Sequence, residues 1–332
     1  MNRLMTTPQT EPTRAQPQPL PENIGSVQPG GGFCYRIELL WGWGRRWYLK
    51  TFWPGYVARM ARLRRGDARG APHEILDPRD LKYCRNRCDC DWAAHDDPFR
   101  WRDALPFARW GLAELQLMGW PLAALVWLSL RWAQTPGAWW AWGGAVVFGV
   151  PLALVVWFFR DPPRRVPADQ GAMVSPADGK IAEVVRVEHD EFIGGPAVRI
   201  GIFLSIFNVH LNRAPCRSRV IELRYHPGEF LNALKPESAI RNENMWIGLE
   251  EEEQPYRKLL VRQIAGAIAR RIVCVLRPGE VLERGAKVGM IKLGSRTELI
   301  LSDRDGLRVE VQVGQRVKAG STILARYERT SG

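Results

Sequence analysis

The sequence predicts a mainly β domain, a compact antiparallel barrel or sandwich, preceded by a helical transmembrane hairpin. Two observations carry that prediction. Residues 137–159 are a stretch of 23 with no ionisable side chain, long enough to cross a hydrocarbon layer of about 30 Å. Beyond Pro167 the texture changes to short β-like runs punctuated by Gly, Pro, Asp and Asn, with little helical periodicity.

Size and charge narrow the classes. A chain of 332 residues with 46% apolar content has room for one large domain or two modest ones and is not a small disulfide scaffold. Its 47 Lys and Arg against 35 Asp and Glu leave a formal charge of +12, which favours a polyanionic partner, either nucleic acid or an anionic membrane surface. No nucleic-acid recognition motif supports the first, and the tryptophans cluster with apolar runs rather than along a soluble groove. An anionic membrane is therefore the expected partner, and nucleic acid is not. The six cysteines and the lack of a secretory signal point to a reducing, cytoplasm-facing setting. Cys84, Cys88 and Cys90, with His95 nearby, are a weak metal candidate. Their Cys-x3-Cys-x-Cys spacing lacks the Cys-x2-Cys knuckle usual in structural zinc sites, and no metal is expected.

Taken in order, residues 1–32 are rich in Pro, Gln, Thr and Gly and read as a disordered tail, too poor in apolar surface to offset the entropy of ordering. Residues 33–110 form a basic, Trp-rich, membrane-associated region: Trp41, Trp43, Trp47 and Trp53 alternate with Arg45, Arg46, Lys50, Arg59 and Arg62. Residues 111–160 are the hairpin. Its second arm is the charge-free stretch; its first, residues 117–130, is 14 long and spans only if Glu114 and Arg131 snorkel to the two interfaces. Arg102 and Arg109 before the pair, and Arg160, Arg164 and Arg165 after it, put both flanks on the cytoplasmic side by the positive-inside tendency. Residues 161–332 are the β domain, with strands expected over 180–187, 197–204, 219–225, 258–264, 271–276, 298–301 and 308–313. The acidic run Glu250 to Glu253 reads as a solvated loop.

Three groups in the β domain carry chemistry. Gly294-Ser295 lies between two β-like runs, where glycine lets the backbone turn sharply and present its carbonyl to the neighbouring hydroxyl. Ser175-Pro176-Ala177-Asp178-Gly179 offers a carboxylate, and Phe207-Asn208-Val209-His210-Leu211-Asn212-Arg213-Ala214-Pro215 an imidazole. Singly, each has a plain structural reading: Gly-Ser and Asp-Gly are turn pairs, and a histidine beside apolar residues is a satisfied core group. Together they supply a carboxylate, an imidazole and a hydroxyl.

With these groups the segment from 158 to 327 resembles the phosphatidylserine decarboxylase proenzymes, in particular their shorter archaeal-type branch. The resemblance is also carried by Phe159-Arg160-Asp161-Pro162, Asn242-Glu243-Asn244, Gln263-Ile264-Ala265-Gly266 and Leu293-Gly294-Ser295-Arg296, in the same order along the chain. The first 110 residues lie outside it. The resemblance implies a chain that cuts itself between Gly294 and Ser295 into a long β chain and a short α chain that stay associated. His210 is then the base that takes the Ser295 hydroxyl proton, Asp178 orients His210, and the alkoxide attacks the Gly294 carbonyl to give an ester. Elimination and hydrolysis leave a covalent pyruvoyl group derived from Ser295. Its carbonyl forms a Schiff base with phosphatidylserine, carbon dioxide leaves, and phosphatidylethanolamine results without pyridoxal or metal. The implied place is the inner cell membrane, with the β domain facing the cytoplasm.

One departure matters. The larger bacterial branch has two histidines three residues apart in this loop, and a gapless reading puts Arg213 on the second. Either His210 does both jobs, or Arg213 or Asn212, the implied substrate-binding residues, takes part of one. Two other readings compete. A pyruvoyl decarboxylase of a soluble amino acid gives no reason for the hairpin and the aromatic-basic region. A non-catalytic, lipoyl-like β module on a membrane anchor would explain the turns at 175–179 and 313–320, but no lysine is displayed at a tight hairpin tip. Because the implied chemistry lies beyond Pro167, loss of residues 1–110 is expected to weaken membrane attachment and spare self-cleavage.

Overall fold

A computed structural model describes residues 14–20, 32–233, 237–267, 270–292 and 294–328. Most of the expected disordered tail, and Leu293 of the Gly-Ser motif, lie outside the described residues. The helices are α1 (Gly32–Phe52), α2 (Pro54–Leu63), α3 (Leu112–Trp132) and α4 (Ala141–Phe158). Pro54 opens α2 at a position where the missing N–H costs no helical bond. Gly144 of α4 backs onto Ser129 and Gly149 onto Val126, so α3 and α4 pack as an antiparallel pair. Arg109–Trp132 and Ala141–Phe158 are both long and apolar enough to cross a membrane. Their outer faces expose Trp120, Trp127, Val146, Val147 and Val150.

The β domain is an antiparallel half-barrel. In chain order its strands are β1 (Ala172–Val174), β2 (Gly179–Asp190), β3 (Gly195–Leu204), β4 (Leu211–Arg213), β5 (Ser218–His226), β6 (Asn244–Glu251), β7 (Lys258–Ile264), β8 (Arg271–Cys274), β9 (Val281–Leu282), β10 (Lys287–Lys292), β11 (Ser295–Ser302), β12 (Arg308–Val309), β13 (Arg316–Val317) and β14 (Ile323–Arg326), with one helical turn, α5 (Ser238–Arg241). The main sheet runs β13-β2-β3-β11-β7-β6-β5-β9; β1-β14-β12 and β4-β10-β8 form two smaller ones. Side chains of a strand alternate between faces, and the core follows that period: Val198, Ile200, Ile202 and Leu204 of β3 meet Leu299 and Leu301 of β11 and Met245, Ile247 and Leu249 of β6. Truncating one of these to alanine costs about 2–5 kcal/mol.

Only the second half of the acidic run is a loop: Glu252 and the exposed Glu253 bend away after β6, whereas Glu250 and Glu251 belong to the strand. Glu250 is buried at the end of β6, where Arg219, its register partner on β5, binds it at 2.9 Å. Glu251 is also buried and pairs with Arg257 at 2.9 Å. A cross-strand cation makes an acidic residue acceptable in a strand. Within the stretch expected to be a disordered tail, residues 14–20 lie along this edge: the Ala15 amide donates to Glu250 Oε1 at 2.7 Å and the Gln18 amide to Ile221 O at 2.8 Å.

Residues 33–110 pack on the β domain rather than standing apart from it. Asn86 Nδ2 donates to Cys274 O at 3.2 Å, and Arg277 donates to Arg85 O and Cys90 O, each at 2.6 Å. Cys84, Cys88 and Cys90 are buried with Ile75 in a small apolar cluster. Among the described residues no three His, Cys, Asp or Glu side chains are grouped to hold a metal. Glu114 does not snorkel outward: it is fully buried against the β domain, paired with Lys292.

Candidate active site at the junction of two sheets

The chain crosses from one sheet to another between Lys292, the last residue of β10, and Ser295, the first of β11. β11 is an inner strand of the main sheet, with Ser295 opposite Leu204 of β3. Gly294 sits at the crossing with φ +75°, a left-handed conformation that glycine adopts without penalty. His210 immediately precedes β4, which pairs with β10 so that Leu211 faces Met290. This register brings the imidazole alongside the crossing, where its Nε2 accepts the Gly294 N–H at 3.3 Å.

The partners of His210 fix its protonation. Nδ1 lies 2.9 Å from Asn208 O; a carbonyl only accepts, so the proton is assigned to Nδ1 and the lone pair to Nε2. Burial pushes the imidazole down to about 4, outweighing the opposite effect of the Asn208 bond, and Arg160 lowers it further. The ring is neutral at pH 7 and able to accept a proton at Nε2. Phe158, at the end of α4, stacks on it with centroids 4.3 Å apart. Ser295 Oγ is buried and makes no hydrogen bond among the described residues. The Gly294 carbonyl is pressed against Gly266, where an added Cβ would lie 1.9 Å from the oxygen. Only glycine fits there.

Asp178 does not orient His210. Its carboxylate accepts two bonds from Arg164 Nη2, each 2.8 Å, and one from the Ala319 amide at 2.8 Å. It stands at the start of β2, against the β13 turn, while His210 belongs to the β4–β10 side. The group facing His210 Nδ1 is instead the Asn208 carbonyl. Asn212 and Arg213 are likewise occupied. Asn212 Nδ2 donates to Thr297 Oγ1 at 3.0 Å and its Oδ1 accepts from Gln263 at 2.9 Å. Arg213 binds Asp161 at 2.9 Å and Gly285 O at 3.0 Å. Both are buried and bind the protein itself.

The family model described as phosphatidylserine decarboxylase matches residues 152–325, from within α4 to β14. A phosphatidylserine decarboxylase proenzyme of Rhodopirellula baltica is 53% identical over 249 residues, 75% of this chain and all of that one. The corresponding proenzymes of Carboxydothermus hydrogenoformans and Nitrosomonas eutropha are 46% and 40% identical, covering 56% and 63% of this chain and 85% and 93% of their own. The chain belongs to the phosphatidylserine decarboxylase family. The family match takes in His210, Asn208, Gly266, Gly294 and Ser295, so every group at the sheet junction lies inside the shared domain. Glu38 and Glu114, which pair with Lys292 ahead of the junction, and Lys82, which pairs with Glu38, lie outside that match. The phosphatidylserine decarboxylase motifs pointed to His210 and the Gly294-Ser295 pair. They gave no role to Asn208, which acts through its backbone, or to Gly266, whose contact with Gly294 exists only in the folded chain.

Proposed function

We propose that this chain is a proenzyme that cuts itself between Gly294 and Ser295, then decarboxylates phosphatidylserine to phosphatidylethanolamine and carbon dioxide at the membrane. One observation carries the reading: His210 Nε2, holding a lone pair, lies at the Gly294 amide, one residue from a buried hydroxyl with no partner among the described residues. Nε2 takes the Ser295 Oγ proton, Oγ attacks the Gly294 carbonyl carbon, and the C–N bond breaks as the proton passes to the Ser295 amine. The product is an ester. Loss of the Ser295 α proton expels the Gly294 carboxylate and leaves dehydroalanine; addition of water releases ammonia and leaves a pyruvoyl group at residue 295.

Ser295 fits that fate, because its hydroxyl is held in a buried site and bonds to no described group that would have to be displaced. When formed, the pyruvoyl group supplies a carbonyl that holds the substrate amine and draws electrons from the carbon losing carbon dioxide. The chain's own contribution is positional and protonic. Gly266 and Gly294 set the backbone, Phe158 packs on the imidazole, and His210 carries the proton. With Arg213 committed to Asp161 and Gly285 O, His210 takes both proton tasks. The short-branch assignment within the family rests on Arg213 and Arg296.

α3 and α4 fit a transmembrane hairpin with both ends cytoplasmic, as the flanking arginines favour. At its foot, Trp157 Nε1 and Arg160 Nη2 both donate to Phe207 O, at 3.1 and 2.9 Å. Ile206 and Phe207 expose their side chains there, in the loop that leads to His210. These contacts support a histidine close to the lipid surface and a lipid over a soluble amino acid as substrate. Family membership removes the support for a lipoyl-like adaptor. Full-length Ser295→Ala, inserted in vesicles containing phosphatidylserine, should remain one chain and release no carbon dioxide. Normal cleavage in that variant would remove Ser295 from the reaction.

A further inference from the structure

Lys292 ends β10, two positions before Gly294, and its side chain is fully buried. Its ammonium pairs with Glu38 of α1 and Glu114 of α3 and donates to Trp110 O at 3.1 Å. Arg271, the register partner of Lys292 on β8, binds Glu38 Oε2 from Nε at 3.1 Å and from Nη2 at 3.0 Å. Lys82 binds Glu38 Oε1 at 2.6 Å and Trp110 O at 2.8 Å. Burial raises the Glu38 carboxyl, but Arg271, Lys292 and Lys82 outweigh it and hold the group below the ordinary carboxylate range.

A buried charge cannot leave its partners without a large desolvation penalty. Strand β10 is therefore pinned at its last residue. The same short segment makes the bonds that define the site, Ile291 N–H to His210 O at 3.2 Å and Gly294 N–H to His210 Nε2 at 3.3 Å. Moving Lys292 moves Gly294 against His210. Among the described residues the main core of the β domain contains none from α1 or α3, and the one α3 side chain packed on its smaller cluster around Leu211, Val273 and Met290 is Leu115. The cluster is thus placed at the cleavage strand and is not a requirement of that core.

We propose that Glu38 and Glu114 are positioning residues for self-cleavage, acting through Lys292, and that α1 and α3 are working parts of the maturation site. The proposal rests on the self-cleavage reading above. It reverses the expectation that residues 1–110 are dispensable for cutting. Neither carboxylate touches the reacting atoms; their effect is to hold the Gly294 carbonyl where Ser295 can reach it.

The test uses the full-length precursor and two variants. Glu38→Gln removes the shared partner of Arg271, Lys292 and Lys82; the pair Glu114→Gln with Lys292→Gln removes one charge of each sign and leaves the net charge of the cluster unchanged, so it carries the test if the first variant does not fold. Time-resolved intact mass follows cutting, and kcat and KM are measured per cut molecule on phosphatidylserine vesicles. Cutting slowed about 10- to 100-fold, as expected for a displacement near 1 Å, with kcat and KM of the cut fraction unchanged, supports the proposal. Wild-type cutting in the folded, charge-balanced variant overturns it, as does an equal loss of kcat in the cut fraction, which marks general loosening. A wild-type chain that never cuts refutes the self-cleavage reading itself, a distinct outcome.

Discussion

Replacing Gly266 with alanine tests how tightly the cleavage junction is built. The new Cβ would meet Gly294 O at 1.9 Å and Gly294 C at 2.8 Å, whereas real Cβ contacts stay beyond 3.0 Å. Restoring that limit requires a shift of about 3.0 − 1.9 = 1.1 Å in the carbonyl that Ser295 must attack. Misalignment of about 1 Å costs about 100-fold in a reaction that depends on orientation. Overpacking of this kind costs about 1–3 kcal/mol of stability, less than a folded domain usually holds. The variant should therefore fold and cut about 100-fold more slowly, as read by intact mass at timed intervals after synthesis, with cooperative thermal unfolding as the control. Folded Gly266→Ala that cuts at the wild-type rate would refute the reasoning, because the contact would then have no bearing on the reaction.

Three further outcomes follow from the structure. His210 is held at about 4 rather than 6.5, so the cutting rate should stay flat from pH 8 to 5 and fall only near pH 4; a midpoint near 6.5 would contradict the buried neutral ring. The sign for stability is the same. Above 6.5 the lowered value costs nothing, whereas between 6.5 and 4 the unfolded chain takes up a proton that the folded chain refuses, so stability falls by roughly 3 kcal/mol as pH drops through that window. Urea midpoints of wild type against His210→Gln across this range measure it. Phe207→Asp should remove a lipid contact worth about 1.5–3 kcal/mol, raising KM for vesicle-borne phosphatidylserine about tenfold or more while leaving self-cleavage intact. An unchanged KM would separate this loop from the lipid surface.

The parts of the fold that the sequence revealed are those written in local periodicity. Residues 137–159 announce α4 by the absence of charge, and the alternation in 197–204 and 258–264 coincides with β3 and β7. β10 stayed hidden because Gly289 and Lys292 interrupt its apolar pattern; Lys292 is tolerated only through partners up to 254 positions away. Glu250 and Glu251 looked like a loop for the same reason, since Arg219 and Arg257 are supplied by other parts of the fold. At the site, Gly294, Ser295 and His210 were legible as residue types with known chemistry. Asp178 was legible as a carboxylate but not as one already taken by Arg164 and the Ala319 amide. Asn208 gave no signal, because any residue supplies a carbonyl.

The central claim is a chain that makes its own reactive group from Ser295. Intact-mass spectrometry of the folded, membrane-inserted protein, treated with a carbonyl-trapping reagent, tests it most directly. The account predicts two chains divided after Gly294, the shorter carrying a trapped pyruvoyl group at residue 295. A single uncut chain with Ser295 intact would contradict it.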